Sequence, residues 1–218
     1  MSVNLKHSVL IWLINQIQKF GPEKVVVLGK TYEISRDVFN PERYYTSRFM
    51  AEHIHVAAGD KVLDMGTGSG IQAVTAARTA GRVIAVDINP EAVRFAARNI
   101  RAHGLEEKVS VIQGDLFSSL DPAEKFDVIL FTPPYFDGRP GTLFEHALID
   151  PDKSLIKRFF GSAKNYLKEG GYVQMLYSSI AGNERVLRLM HGLGWEYSLM
   201  ARSRIWMETF FIYKSRPL

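Results

Sequence analysis

The residues best suited to chemistry lie in a glycine-rich segment within the first third of the chain. Gly66, Gly68 and Gly70 directly follow an apolar run, and Asp64 interrupts that run. Glycine adopts backbone conformations that other residues avoid, so such a turn lets the main chain approach a ligand without a Cβ in the way. A dinucleotide-binding turn needs its third glycine at position 71, where this chain has isoleucine. The spacing therefore argues against a nicotinamide cofactor.

Two further acids follow later apolar runs. Asp87 ends the run 82–87, 17 residues after the last of these glycines, and Asp115 follows the run 108–113. In a parallel sheet such run ends meet at one edge, where ligands bind. A carboxylate at Asp87 can accept two ribose hydroxyls, and each hydrogen bond to a charged group contributes about 1.5–3 kcal/mol. Taken singly, Asp64 could cap a helix and Asp87 could be a surface acid, but together they indicate a ligand site.

Together these residues resemble the cofactor motifs of the class I S-adenosylmethionine (SAM)-dependent methyltransferases. The segment 62–70 is similar to their motif I, Asp87 to their ribose-binding acid, and the segment 114–116 to the motif that contacts adenine. In the last motif the acid accepts the adenine amino group, and its neighbour packs on the ring. The resemblance covers roughly residues 39–213 and implies SAM as the cofactor. The cofactor-binding residues that it implies are Asp64, Gly66, Thr67, Gly68, Gly70, Asp87, Ile88, Asp115, Leu116 and Thr132.

A second motif, Thr132-Pro133-Pro134-Tyr135, follows the apolar run 126–131. It resembles the [N/D/S]-P-P-[Y/F/W] motif of methyltransferases that act on planar nitrogens, including release-factor glutamine methyltransferases and adenine or guanine amino-group methyltransferases. In that group the first residue and the proline carbonyl accept hydrogen bonds from the target NH2, and the aromatic residue stacks on the planar group. The resemblance implies catalytic roles for Thr132, Pro133 and Tyr135 through orientation of the reacting nitrogen. A rigid loop after a strand is the alternative interpretation.

Thr132 departs from the Asn or Asp of that motif. Its hydroxyl can accept a hydrogen bond, but it is shorter and is also a donor. This leaves room for an amine, a ring nitrogen or a hydroxyl as the methyl acceptor. His146 is the only candidate general base near the motif; Arg139, Glu145 and Asp150 are either pocket residues or ordinary solvated and capping residues. The histidines show no ligand spacing, so the sequence predicts no metal site.

Strands and helices in strict alternation place these motifs at one edge of a sheet. Strands are predicted at 61–65, 82–87, 108–113, 126–131 and 172–177, and helices at 71–80, 90–103, 152–167 and 183–193. Only three residues separate the last two predicted strands, 195–201 and 205–213, so these must pair as an antiparallel hairpin. The sequence therefore predicts an α/β fold, a Rossmann-like doubly wound seven-stranded sheet that is mostly parallel with an antiparallel C-terminal strand.

An N-terminal extension precedes this alternation. Helical spacing predicts a helix over residues 4–20 that Gly21-Pro22 ends, and two short strands at 25–28 and 31–34 predict a hairpin. The predicted division is an extension over residues 1–55 and a methyltransferase domain over residues 56–218.

Aromatic residues mark two further segments. The loop 38–46 resembles the segment that covers the cofactor in the glutamine methyltransferases. Within it, Arg43 is either a contact for the SAM carboxylate or an exposed side chain. Near the C-terminus, aromatic residues at alternating strand positions favour core packing over a base-stacking platform; they are Tyr197, Trp206, Phe210 and Phe211.

The composition is that of a globular protein with a mild basic excess. Hydrophobic residues make up 46% of the chain, the formal net charge is +4, and there is no cysteine. The charge is a weak indication of nucleic acid, because the basic residues are interspersed with acids. The apolar run 8–14 is too short to span a membrane and lacks a signal-peptide cleavage site, which predicts a cytoplasmic protein without a membrane partner.

These observations predict a SAM-dependent methyltransferase that acts on a nitrogen of a planar group in a macromolecule, either a protein glutamine or a nucleic-acid base. A small-molecule N- or O-methyltransferase is the alternative, favoured by Thr132 and by the weak basic excess. A non-catalytic SAM-binding subunit is a further alternative, which the nearly complete cofactor motif disfavours. The sequence itself assigns neither the methyl acceptor nor an oligomeric state.

Overall fold

The computed structural model describes residues 5–20 and 23–218, and for residues 5–7 the backbone alone. The N-terminal part contains helix α1 (Leu5–Lys19), the antiparallel hairpin of β1 (Lys24–Val27) and β2 (Lys30–Glu33), and helix α2 (Tyr45–Glu52). The hairpin prediction is confirmed. The predicted helix end at Gly21-Pro22 lies outside the described residues.

The hairpin is tied to the rest of the chain by one buried amide. Asn99 accepts a hydrogen bond from the Glu33 backbone N at 2.7 Å and donates one to the Glu33 carbonyl at 2.8 Å. Tyr32 is 1% exposed and packs in the same apolar cluster as the main sheet. The extension therefore shares its core with the sheet that follows.

Seven strands form the central sheet. They are β3 (Lys61–Met65), β4 (Arg82–Asp87), β5 (Val109–Gln113), β6 (Phe126–Phe131), β7 (Leu167–Ser178), β8 (Trp195–Ile205) and β9 (Glu208–Pro217), in the spatial order β5-β4-β3-β6-β7-β9-β8. The pairings from β5 to β7 are parallel, and β9 is antiparallel to both of its neighbours. The predicted fold class is confirmed.

Helices cover both faces of this sheet, which explains why its inner strands carry apolar side chains toward both faces. The helices are α3 (Ile71–Ala76), α4 (Pro90–Ala102), α5 (Ser154–Ala163) and α6 (Asn183–Gly192). Side chains alternate between the faces along each strand. Val62 and Val128 join one apolar cluster with α2, α3 and α4, whereas Leu63 and Ile129 join the other with α5 and α6.

The strand order reverses between β3 and β6. The chain runs outward from β3 through β4 to β5, then crosses back to β6 on the other side of β3. Such a reversal opens a crevice at the carboxyl ends of the two strands, because their connections leave in opposite directions. The glycine-rich segment follows β3 and the Thr132 motif follows β6, so both motifs border this crevice.

The C-terminal hairpin turns at a different place from the predicted one. Residues 202–204 are paired with β9, and the chain reverses at Trp206 and Met207, which are 93% and 92% exposed. Arg202 and Arg204 alternate as exposed residues of an edge strand, so the polar residues at 202–204 do not mark a turn. The prediction that Trp206 lies in the core is therefore wrong. Phe210 is 6% exposed, as predicted.

Several other boundaries differ from the predictions, and α3, for example, ends at Ala76 rather than at residue 80. Helix α5 begins at Ser154, because Asp152 and Lys153 have left-handed backbone angles with φ of +51° and +57°. Strand β7 begins at Leu167, five residues before the predicted start at 172. No helix among the described residues combines the length and the apolar character needed to cross a bilayer.

Candidate cofactor and acceptor site

A cavity of about 440 Å³ lies at the carboxyl ends of β3, β4 and β6. It is lined by residues 64–69 of the glycine turn (residues 64–70), by the proline wall (residues 132–135) and by segments that follow β4 and β5. Residues 37–39, Thr46 and Ser47 contribute from the N-terminal part, and residues 146–151 contribute from the loop before α5. All the residues of the implied cofactor and catalytic sets except Gly70 therefore border one cavity.

The glycine turn is held by backbone hydrogen bonds from neighbouring strands. The Gly66 and Thr67 backbone N atoms donate to the Val86 carbonyl at 2.8 and 3.1 Å. Gly70 has φ of +83°, and a Cβ at this position would lie 3.3 Å from the Ala96 Cα on α4. A side chain there would both strain the backbone and push α3 away from α4.

Asp64 holds the glycine turn through its buried carboxylate. It is 2% exposed, and its Oδ2 accepts hydrogen bonds from the Thr67 hydroxyl at 2.5 Å and the Ala73 backbone N at 3.0 Å. Burial raises the pKa of Asp64 to about 7, against the opposing effect of these two hydrogen bonds. The Ala73 contact joins the glycine turn to the first turn of α3, and the Thr67 contact lies within the glycine turn, so Asp64 has the contacts of a capping residue.

Asp87 lies at the end of β4 with both carboxylate oxygens engaged by backbone donors. Its Oδ2 accepts from the Gly68 backbone N at 2.8 Å and its Oδ1 from the Asn89 backbone N at 2.9 Å. Burial raises the pKa of Asp87, and these bonds oppose the shift. Each carboxylate oxygen has a second lone pair, so Asp87 can still accept two ligand hydroxyls while it fixes the glycine turn. Ile88, beside it, is 55% exposed.

Asp115 and Leu116 line the cavity after β5. The Asp115 carboxylate is paired with Arg158 of α5, whose Nη2 lies 2.6 Å from Oδ2. Leu116 has φ of +53° and is 9% exposed. Sequence reasoning missed Arg158, because a basic residue on an amphipathic helix reads as a solvated side chain.

The proline wall offers hydrogen-bond acceptors and few donors. Pro133 and Pro134 have no N–H, and the Tyr135 and Phe136 backbone N atoms both donate to the Leu148 carbonyl, at 3.1 and 2.9 Å. Among the described residues, no donor is hydrogen-bonded to the carbonyls of Pro133 or Pro134. This wall is therefore suited to a ligand group that donates hydrogen bonds.

Thr132 and Gln72 carry buried oxygens without hydrogen-bond partners. Four buried side-chain polar atoms of the described residues lack a partner, and two of them, Thr132 Oγ1 and Gln72 Oε1, belong to residues that line this cavity. Gln72 is 7% exposed, and its Nε2 donates to the Ser47 carbonyl at 3.0 Å. The sequence analysis missed Gln72, although a glutamine in the buried first turn of a helix was an available signal.

The lining fits the cofactor that the resemblance implies. An unpartnered buried acceptor costs about 1–3 kcal/mol, which a ligand donor can recover. SAM carries such donors on its ribose, adenine and amino-acid parts. Asp87 suits the ribose hydroxyls, Asp115 and Leu116 the adenine, and Gln72 the ammonium group. The described residues hold no group of three or more acidic or histidine side chains placed to bind a metal ion.

Several other predicted residues have structural contacts. The Arg43 guanidinium donates to the carbonyls of Ile17 and Phe20 and does not line the cavity, so of its two interpretations the exposed side chain is correct. Asp150, which is 1% exposed, caps α5 by accepting from the Leu155 and Ile156 backbone N atoms at 2.8 and 3.2 Å.

The other charged residues of this region differ in their placement. The Glu145 carboxylate accepts from the Asn15 side chain at 2.7 Å and thereby joins its loop to α1. His146 lines the cavity, whereas Arg139 is exposed outside it.

The chain matches the methyltransferase small domain family over residues 36–194. It is 33% identical to a putative protein N5-glutamine methyltransferase of Methanocaldococcus jannaschii, over 86% of this chain and 96% of that protein. It is also 36% identical to a release factor glutamine methyltransferase of Rhodopirellula baltica, over 60% of this chain but only 49% of that longer protein.

Solved structures share the fold at low identity. A putative methyltransferase of Streptococcus mutans, SMU.776, complexed with S-adenosylhomocysteine (SAH), has a TM-score of 0.63 at 15% identity and covers 89% of this chain and 56% of that chain. Ribosomal protein L11 methylase of Lactobacillus delbrueckii has a TM-score of 0.60 at 18% identity, with 81% and 80% coverage. Together with the cavity, these matches show that the chain belongs to the methyltransferase small domain family and is a SAM-dependent methyltransferase.

Proposed function

We propose that this enzyme methylates the side-chain amide nitrogen of a glutamine in a protein. The observation that carries the proposal is the donor-poor proline wall, in which the carbonyls of Pro133 and Pro134 are without partners among the described residues. A primary amide brings two N–H donors and a flat face, which match these carbonyls and the Tyr135 ring. The glutamine methyltransferase relative, aligned over nearly its whole length, supports the same substrate class.

The chain's own residues orient the reacting nitrogen. Hydrogen bonds from the amide NH2 to the proline wall turn the nitrogen lone pair out of conjugation, and Tyr135 packs against the amide plane. Bound SAM supplies a sulfonium-linked methyl group, which the nitrogen takes as the carbon–sulfur bond breaks with its electron pair left on sulfur. The nitrogen then loses one proton to water and stays neutral. Alignment of this kind reaches effective molarities of roughly 10⁵ M or more.

Thr132 has a place in this scheme as a hydrogen-bond acceptor. Its buried hydroxyl oxygen has no partner among the described residues, so a substrate N–H would satisfy it. Thr132→Val keeps the shape and removes the hydroxyl, whereas Thr132→Asn restores the longer side chain of the motif. We expect Thr132→Val to lower kcat and Thr132→Asn to retain or raise it.

Transfer of labelled methyl from SAM into a cell extract tests the proposal. The products are separated into protein, nucleic acid and small molecules, with Asp87→Ala enzyme as the control. We expect label in protein that survives mild base and is released as methylamine by acid hydrolysis, as an N-methyl amide requires. Release as methanol in mild base would show a methyl ester, and label confined to nucleic acid or small molecules would overturn the protein substrate.

We propose that the enzyme works in the cytoplasm on a protein partner, because the chain has no cysteine and its relatives include enzymes named for ribosomal proteins and release factors.

A further inference from the structure

Lys153 is a buried lysine beside the proline wall. Its side chain is 1% exposed, although lysine is almost never fully buried unless it is paired. It lies directly before α5 and has a left-handed backbone, as does Asp152 before it. Two successive non-glycine residues in this conformation are strained, and such strain persists where the surrounding structure requires it.

The Lys153 ammonium has two partners, and both belong to the segment that continues the proline wall. The Nζ atom donates to the Tyr135 carbonyl at 2.7 Å and lies 3.2 Å from Asp137 Oδ1. Asp137 is 42% exposed, so the ion pair connects a buried amine to the surface. The charge is thus compensated by the segment that contains Tyr135 and Asp137 and not by helix α5, which begins directly after the lysine.

These contacts fix the Tyr135 peptide from both sides. Its backbone N donates to the Leu148 carbonyl, and its carbonyl accepts from Lys153. The Tyr135 ring lies between Phe136 and Tyr177, with ring centroids 4.9 and 6.0 Å away. A peptide held at both ends with a ring held on two sides leaves the aromatic face little freedom of orientation.

We propose that Lys153 is a positioning residue for the methyl-transfer site. Its ammonium fixes the Tyr135 carbonyl, and through it the ring and the proline wall that receive the planar methyl acceptor. Lys153 acts through Tyr135 and does not touch the acceptor. The inference rests on the proposed function in that the proline wall receives the acceptor, but it does not depend on which polymer carries the acceptor.

The test compares Lys153→Met with Lys157→Met, which changes an exposed lysine of helix α5. Methionine keeps the length and apolar stem of lysine, and the Asp137 carboxylate that loses its partner is 42% exposed, so water can solvate it. The probes are labelled SAM and the extract fraction that wild-type enzyme labels, so failure of the glutamine proposal leaves this test intact. For Lys153→Met we expect at least a tenfold loss of kcat, with the Kd for SAM and the thermal midpoint close to wild type. Lys157→Met should match wild type throughout.

A double-mutant cycle with Tyr135→Ala identifies the route of the effect. If Lys153 acts by orienting the Tyr135 ring, the double variant loses less kcat than the two single losses combined, because the ring that Lys153 would orient is already absent. Additive losses would overturn the proposal. Unchanged kcat in Lys153→Met would also overturn it, as would a loss that parallels loss of folded protein or of SAM binding, since that would make Lys153 purely structural.

Discussion

The glycine turn and the proline wall border the same cavity, but they are held by different kinds of contact. The glycine turn is fixed by the Val86 carbonyl and by two acids: Asp87 accepts from the Gly68 backbone N, and Asp64 accepts from the Thr67 hydroxyl and from the Ala73 backbone N of α3. The proline wall has no such acids. It is held by two groups from the loop before α5. The Leu148 carbonyl accepts from the Tyr135 and Phe136 backbone N atoms, and the Lys153 ammonium donates to the Tyr135 carbonyl.

This difference separates cofactor binding from acceptor orientation. The glycine turn depends on residues of β3, β4 and α3, whereas the proline wall depends on β6 and on the loop before α5. Substitutions in the first region should change SAM affinity, and substitutions in the second should change turnover with SAM affinity preserved.

The largest expected effect is that of Asp87→Ala on SAM binding. The change removes an acceptor for two ribose hydroxyls and frees the Gly68 backbone N, so we expect the Kd for SAM to rise roughly 100-fold or more. Titration calorimetry measures it. Asp121→Ala, an exposed acid outside the cavity lining, is the control. An unchanged Kd for Asp87→Ala would refute the assignment of Asp87 and the glycine turn to SAM binding.

Tyr135→Ala should lower turnover and leave SAM affinity nearly unchanged. Loss of the ring leaves the planar group without a stacking surface, so we expect kcat to fall roughly 10- to 100-fold. The Kd for SAM should stay within about twofold of wild type, because Tyr135 belongs to the proline wall and not to the glycine turn. Steady-state methyl transfer and calorimetry together measure the two quantities. Equal losses of kcat and of SAM affinity would show that the glycine turn and the proline wall are coupled.

Gly70→Ala tests how closely the glycine turn is packed. Left-handed backbone at an alanine costs about 1–2 kcal/mol, and the new Cβ would also lie 3.3 Å from Ala96. Gly194→Ala is a matched control, since Gly194 has φ of +81° with nothing within 4 Å of a Cβ. Urea unfolding should show Gly70→Ala to be less stable than Gly194→Ala by about 1 kcal/mol. Equal stabilities would mean that only the backbone strain matters.

Asp64 should give the smallest effect, a pH dependence of stability. Its pKa is about 7 in the folded protein against 3.8 for the free side chain, so the folded state binds the extra proton between these values. The free energy of unfolding therefore falls as pH rises through this window, by about 1 kcal/mol between pH 6 and 7. Asp64→Asn should lack this part of the slope and retain that of Asp87. Parallel slopes for the two proteins in urea unfolding would contradict the assignment.

The contrast between the glycine turn and the proline wall also explains which parts of the site could be predicted from the sequence. The glycine turn, Asp87 and Asp115 lie at strand ends, where a local pattern of apolar runs and glycines specifies both the element and its ligand edge. The strands β3, β4 and β6 accordingly have their predicted bounds. The Gly68–Asp87 contact joins residues 19 positions apart, but the regular alternation of strands and helices already places both residues at the same edge of the sheet.

The proline wall depends on contacts that no local pattern contains. Lys153 lies in a polar stretch that reads as surface, and only the fold brings it under Tyr135, 18 positions away. Trp206 follows an apolar alternation that predicts burial, yet the hairpin extends until it occupies the exposed turn. Gln72 differs in this respect, because its place in the buried first turn of α3 follows from the sequence pattern, whereas the lack of a partner for its Oε1 is visible only in the structure.

Fragmentation mass spectrometry of the labelled protein tests the central claim most directly. Wild-type enzyme, SAM and the protein fraction of a cell extract are incubated, digested and sequenced, with Asp87→Ala enzyme as the reference. The account predicts a peptide that gains the mass of one methyl group on a glutamine side chain with wild-type enzyme and not with the variant. A methyl group on any other side chain, or its absence from every peptide while nucleic acid or small molecules carry the label, would contradict it.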